Sequence, residues 1–128
     1  MPERRRTPAD AGVTFETVST VARKLLPGVV EATSYGTPAL KVRGKLIARL
    51  REDGETLVLR MDLVSREYVL RSNPELWCLT EHYRDYPYVL LTLPVVERRH
   101  LPQILEDAWR LVAPKRLVAE FDATRRPH

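Results

Sequence analysis

The residues of this chain best suited to ligand chemistry are cations set among apolar neighbours. Lys41, Arg43, Lys45, Arg49 and Arg51 fall in SYGTPALKVRGKLIARLR (34–51), and Arg60 falls in TLVLRM (56–61). Guanidinium forks and ammonium groups spaced along a β-ribbon suit phosphate oxygens, and neutralising several phosphates releases counterions. The solvated side of an ordinary antiparallel sheet presents the same pattern. A second group, Tyr83, Tyr86 and Tyr88, has rings that stack on the bases of single strands or pack at a sheet edge with the hydroxyl in water.

Other chemistries find less support. Cys78 and His82 are four apart, which shares a face on a helix but not on the strand expected there. No second His or Cys pair completes a closed zinc site, so neither a metal nor a cofactor is expected. Cys78 reads as a buried structural thiol. The chain shows no P-loop, no dinucleotide fingerprint and no serine-hydrolase elbow. No catalytic residue is nominated, and the expected role is non-enzymatic.

The 128 residues, 44% of them hydrophobic, fit one domain around one core. No apolar run reaches membrane-spanning length, and the start MPERRRTPAD lacks the apolar segment of a secretory signal. A single cysteine makes a reducing cytoplasm the simplest location. Half of the formal charge of +4 sits at the two ends. Residues 15–121 hold 16 basic and 14 acidic residues, a body of net +2. That balance does not by itself announce a polyanion partner.

Thr14 is a good cap for a helix on which Phe15, Val18, Val21, Ala22 and Leu25 recur at helical spacing, stopped by Pro27-Gly28. A short strand is expected at 29–35. Tyr35-Gly36-Thr37-Pro38 reads as a backbone turn, with binding by Tyr35 or Thr37 as the alternative. Strands follow at 39–43 and 46–51 around Arg43-Gly44-Lys45, and a third at 56–61 after the polar turn Glu52-Asp53-Gly54-Glu55. A four-residue second loop pairs Leu50 with Leu57. A three-residue first loop pairs Val42 with Leu46 and sorts the faces. Lys41, Arg43, Arg49, Arg51 and Arg60 then share the side away from the helices, with Ile47 and Val58 among them. Ser65 is expected to cap a helix to about Arg71, ended by Asn73-Pro74. Two strands, 76–83 and 86–93, are joined by Arg84-Asp85. An amphipathic helix over Leu101–Val112 follows, buries Trp109 as Trp77 is buried elsewhere, and is extended by a further turn or two after Pro114. Strands in consecutive runs bracketed by helices indicate α+β, a mainly antiparallel sheet with the terminal helices on one face. Residues 1–14 read as a flexible arm, 15–121 as the domain and 122–128 as a flexible tail.

Four stretches together carry a resemblance. Tyr35-Gly36-Thr37-Pro38-Ala39 before the Gly44-Lys45 hairpin, His82-Tyr83 leading into Tyr86-Pro87-Tyr88-Val89, and Asp107-Ala108-Trp109 followed by Ala113-Pro114-Lys115 are similar in order and spacing to the MmcQ/YjbR family. The similarity runs from about Phe15 to Val118. It implies a frataxin-like (CyaY-like) fold and a DNA-binding role in which a double wing of β-hairpins forms the contact surface. It supplies no catalytic residues. The iron site of frataxins is not carried over, because the first helix has Glu16 but then Arg23 and Lys24.

The expected partner is therefore DNA, bound weakly and without sequence specificity, and no membrane. The three carboxylates at Glu52, Asp53 and Glu55 make the second wing tip unsuitable for phosphate. The alternative is a protein-interaction or small-ligand module using the tyrosine-bearing strand and a pocket between sheet and helices.

Overall fold

The computed structural model describes residues 12–125. Thr14 caps α1 (Phe15–Leu25), its hydroxyl accepting from the Thr17 amide, so the first orphan donors of the helix are met where the sequence predicts. The chain reverses at Pro27-Gly28 into β1 (Val29–Ser34). Gly28 has φ +78, and a Cβ there would lie 2.9 Å from the Leu117 side chain, so both conformation and space call for glycine.

β1, β2 (Thr37–Val42), β3 (Lys45–Leu50) and β4 (Thr56–Arg60) pair in sequence, each antiparallel to the last. After α2 (Leu63–Ser72) come β5 (Trp77–Cys78) and then β6 (Tyr88–Thr92), which inserts between β4 and β5. The result is a six-stranded antiparallel sheet of order β1-β2-β3-β4-β6-β5. α3 (Leu101–Val112) and α4 (Lys115–Arg125) follow. The architecture is the expected α+β one, with helices packed on one face.

Strand alternation builds the core. Leu40, Val42, Ala48, Leu57, Leu59, Val89 and Leu91 from the inner sheet face meet Val18 and Ala22 of α1 and Leu105, Ala108 and Trp109 of α3. Each such side chain contributes roughly 1.5–3 kcal/mol on leaving water. Trp109 Nε1 donates to Pro27 O at 3.0 Å, so the largest core residue has its polar atom satisfied. Trp77 and Trp109 are both buried, as expected. No helix among the described residues is long and apolar enough to cross a membrane.

Several local expectations need correction. The β3–β4 hairpin has the predicted register, Leu50 opposite Leu57. The β2–β3 turn instead has two central residues, with Val42 opposite Lys45. Arg43 and Gly44 take φ of 51 and 80, the positive pair of a type I′ turn, whose twist matches the strands. A bulge then restores the predicted register, so that Leu40 faces Ala48. Ile47 and Ala48 both point to the core, while Leu46 turns to the outer face.

The region 76–83 is not one strand. Pairing covers only Trp77–Cys78, and Glu81–Tyr83 form a 3₁₀ turn in a longer connection to β6. Cys78 is exposed rather than buried, because it sits on the outer side of the edge strand. Asp62, not Ser65, caps α2, accepting from the Ser65 amide at 2.8 Å. α4 extends through Arg125, past the expected domain limit, and Gly12 and Val13 already bond to Val96 and Leu93. The rest of the two expected flexible ends, 1–11 and 126–128, lies outside the described residues.

Candidate nucleic-acid interface

The outer sheet face does not present a bare row of cations. Ala39, Arg49, Val58, Leu90 and Cys78 are successive cross-strand neighbours on it, and the middle of this row is buried. What covers it is the 79–87 connection, which folds back so that Tyr83 reaches Arg49. Arg49 is only 6% exposed. Its Nη1 donates to Thr37 Oγ1 at 3.0 Å and its Nη2 to the Tyr83 hydroxyl at 3.0 Å. Glu52 Oε2 lies 3.6 Å from Nη1, and the Tyr35 ring sits over the guanidinium at 5.4 Å. Burial works against the charge, but the hydrogen bond to Tyr83 and the Glu52 carboxylate more than offset it, leaving the Arg49 pKa above the ordinary arginine value.

Around Arg49 lies a cup of about 360 Å³ whose walls include Tyr35, Leu46, Val58, His82, Tyr83, Tyr86 and Tyr88. That volume is at the lower end of the roughly 300–1,000 Å³ usual for ligand sites. The rings are arranged edge to face. His82 meets Tyr83 at 4.7 Å and Tyr83 meets Tyr88 at 5.9 Å, a geometry that fixes their faces. Tyr86 is 55% exposed and Tyr35 87% exposed, so these two stand at the mouth.

The connection that carries Tyr83 and Tyr86 and leads into Tyr88 is held from below by a residue that no sequence pattern marks. Arg66 of α2 is buried, and Nη1 donates to the carbonyls of Tyr83, Tyr86 and Tyr88 while Nη2 donates to that of Arg84. A single guanidinium thus satisfies four carbonyls of an irregular segment. It replaces the strand ladder that this segment lacks.

The remaining cations divide. Arg60 lies over the Tyr88 ring at 4.9 Å and donates through Nε to Leu46 O at 2.9 Å, at the rim of the cup. Lys41 pairs with Leu46 across the strands and is half-buried on the same face. Arg51 follows Arg49 by alternation and acts on Asp53, whose carboxyl is held below the usual range chiefly by the Glu55 amide. Lys45 pairs with core-facing Val42, so it stands on the helix side, exposed. Arg43 Nη1 lies 3.9 Å from where a Gly28 Cβ would be, close to Leu117 of α4. The structure therefore brings Arg49 and Arg60 together with Tyr83, Tyr86 and Tyr88, keeps Lys41 on the same face and Arg51 at its hairpin end beside Asp53, and sets Arg43 and Lys45 apart.

Residues 25–111 match the model of the YjbR family. The chain belongs to the YjbR family. The resemblance carried by its turn, tyrosine and Asp107-Ala108-Trp109 stretches points to the same group. Among curated relatives, this YjbR chain is 36% identical over 53 residues to the uncharacterized proteins Rv2570 of Mycobacterium tuberculosis and Mb2600 of Mycobacterium bovis. The match covers 41% of the chain and 41% of each relative's length. The fold is also that of the Deinococcus radiodurans protein DR2400, a DUF419 domain, with a TM-score of 0.68, 22% identity and 90% coverage of both chains.

Two further features of the YjbR chain bear on the alternatives. The groove between sheet and helices, about 750 Å³ beside α2 and α3, is lined by Tyr68, Trp77 and Leu111. It contains none of the three tyrosines expected to serve a ligand there. Among the described residues, no group of three or more His, Cys, Asp or Glu side chains is placed to hold a metal ion.

Proposed function

We propose that this YjbR protein binds nucleic acid through the outer face of its sheet, without catalysing a reaction on it. The observation that carries this reading is the shared location of two kinds of group. Lys41, Arg51 and Arg60 lie on the same sheet face as the tyrosine cup, and the helix layer occupies the other. Phosphate contact by such side chains supplies sequence-independent affinity, and the rings add stacking. The footprint differs from a pair of β-hairpin wings. It is centred on the sheet, and the Glu52-Asp53-Gly54-Glu55 tip lies outside it because its carboxylates repel phosphate.

The test is fluorescence anisotropy with a labelled DNA oligonucleotide across a salt series. Each phosphate contact adds about 0.7–0.9 to the slope of log K against log salt. Lys41→Ala and Arg60→Ala should each weaken binding and flatten that slope, while Lys45→Ala should do neither. Unaltered slopes in both outer-face variants would remove the proposal.

A further inference from the structure

The cup on the outer face is shaped for something smaller than a duplex. We infer that it takes a single unpaired nucleobase, so that the protein binds single strands in preference to double-stranded nucleic acid; this rests on the nucleic-acid reading of the same face.

Three observations carry the inference. First, the cavity of about 360 Å³ is walled on one side by the β1–β2 hairpin tip at Tyr35 and on the other by His82 and Tyr86. A base must leave its stack to enter between such walls, and that step costs least in a strand already unpaired. Second, the walls are ring faces and edges held in place by Arg66, Arg49 and Arg60, so a planar guest meets preordered stacking partners. Third, the side chain within the cup is polar and more than nine-tenths buried. Arg49 donates through Nη1 and Nη2 to Thr37, Leu50 and Tyr83, which fixes a cation at the floor of the cup, where the π-face and electron-rich carbonyl oxygens of a base would meet it.

Tyr35, with φ 53, takes the first central position of a two-residue turn of the same kind as Arg43-Gly44, and that turn carries its side chain, 87% exposed, to the lip of the cavity.

The experiment compares four probes, each across the same salt series: a labelled 12-nucleotide poly(dT) strand, its blunt poly(dA)·poly(dT) duplex, a fully abasic strand of equal charge, and thymidine monophosphate. The inference expects the base-bearing strand to bind on the order of ten-fold more tightly than the abasic strand or the duplex. Tyr86→Ala and Tyr35→Asn, both at exposed positions, should reduce that margin without altering the salt slope. Equal binding of strand, abasic strand and duplex overturns the inference and leaves the phosphate reading standing. Binding to none of the polymers overturns both. Thymidine monophosphate binding as tightly as the strand also overturns it, since the cup would then be a small-ligand site.

Discussion

Arg49 Nη2 donates to the Tyr83 hydroxyl at 3.0 Å, joining the C-terminal end of β3 to a turn 34 residues later. This bond closes the outer face, and it converts a cation that the strand pattern aims at solvent into the floor of a cup. Arg49→Lys tests it. A lysine keeps the charge but cannot donate in two fixed directions to Thr37 and Tyr83. Hydrogen bonds to a charged group contribute about 1.5–3 kcal/mol, so a loss of about 1–2 kcal/mol is expected in urea unfolding, with an unchanged m-value.

Arg66→Met should be more disruptive than its place on a short surface helix suggests. Four carbonyls would lose a charged donor at once, those of Tyr83 and Tyr86 keeping only a backbone amide. The expected cost is about 2–4 kcal/mol if the turn stays ordered. If it does not, hydrogen exchange at the amides of Tyr83, Tyr86 and Tyr88 should rise well above that of core strands β3 and β4.

Two turns carry side chains where glycine or asparagine is the easier choice. Tyr35-Gly36 and Arg43-Gly44 both have positive φ at each position. Tyr35→Asn and Arg43→Asn create the Asn-Gly pair that type I′ hairpins favour. Each is expected to stabilise the fold by about 0.5–1 kcal/mol, read as a rise in the urea midpoint. Only Tyr35→Asn should weaken nucleic-acid binding, because Arg43 lies apart from the cup.

Acid should act on α2 through its cap. The Ser65 amide, and then the Ser65 hydroxyl, hold the Asp62 carboxyl below its usual range. A folded pKa below the unfolded one means stability that is complete at neutral pH. It fades as pH falls below about 4, where the unfolded chain takes up the proton first. Asp62→Asn keeps a capping oxygen without a titrating group. The advantage of the native protein over Asp62→Asn at pH 7 should therefore shrink or reverse near pH 3. Asp62→Ala should cost about 1 kcal/mol at pH 7.

How far these features are legible in sequence depends on how local their causes are. The β3–β4 register follows from one polar turn and strict alternation on both sides, so Leu50 and Leu57 are paired correctly before any coordinates. The β2–β3 hairpin hides its bulge, because Leu46 and Ile47 are both apolar and either can serve as the inward residue. The 76–83 segment shows a strand-like composition, yet its backbone is organised by Arg66, whose carbonyl partners lie 17 to 22 residues further on. Nothing in the α2 pattern distinguishes Arg66 from exposed Arg71. The cup is missed for the same reason. Arg49, Tyr35 and Tyr83 are individually conspicuous, but their meeting depends on that connection folding back over the sheet.

The extra residue in β3 gives the β2–β3 hairpin two independent parts. Beyond Ile47 the strand pairs as the core demands, whereas the tip follows only its own turn. The phase mismatch between them is absorbed at one position. Residues at the Arg43-Gly44 end can thus be exchanged, or the loop lengthened by one, without transmitting a slip to Leu40, Ala48 or Leu59. The protein has in effect a replaceable fingertip on a fixed hand, and a library of tip sequences should retain the sheet while varying whatever that end touches.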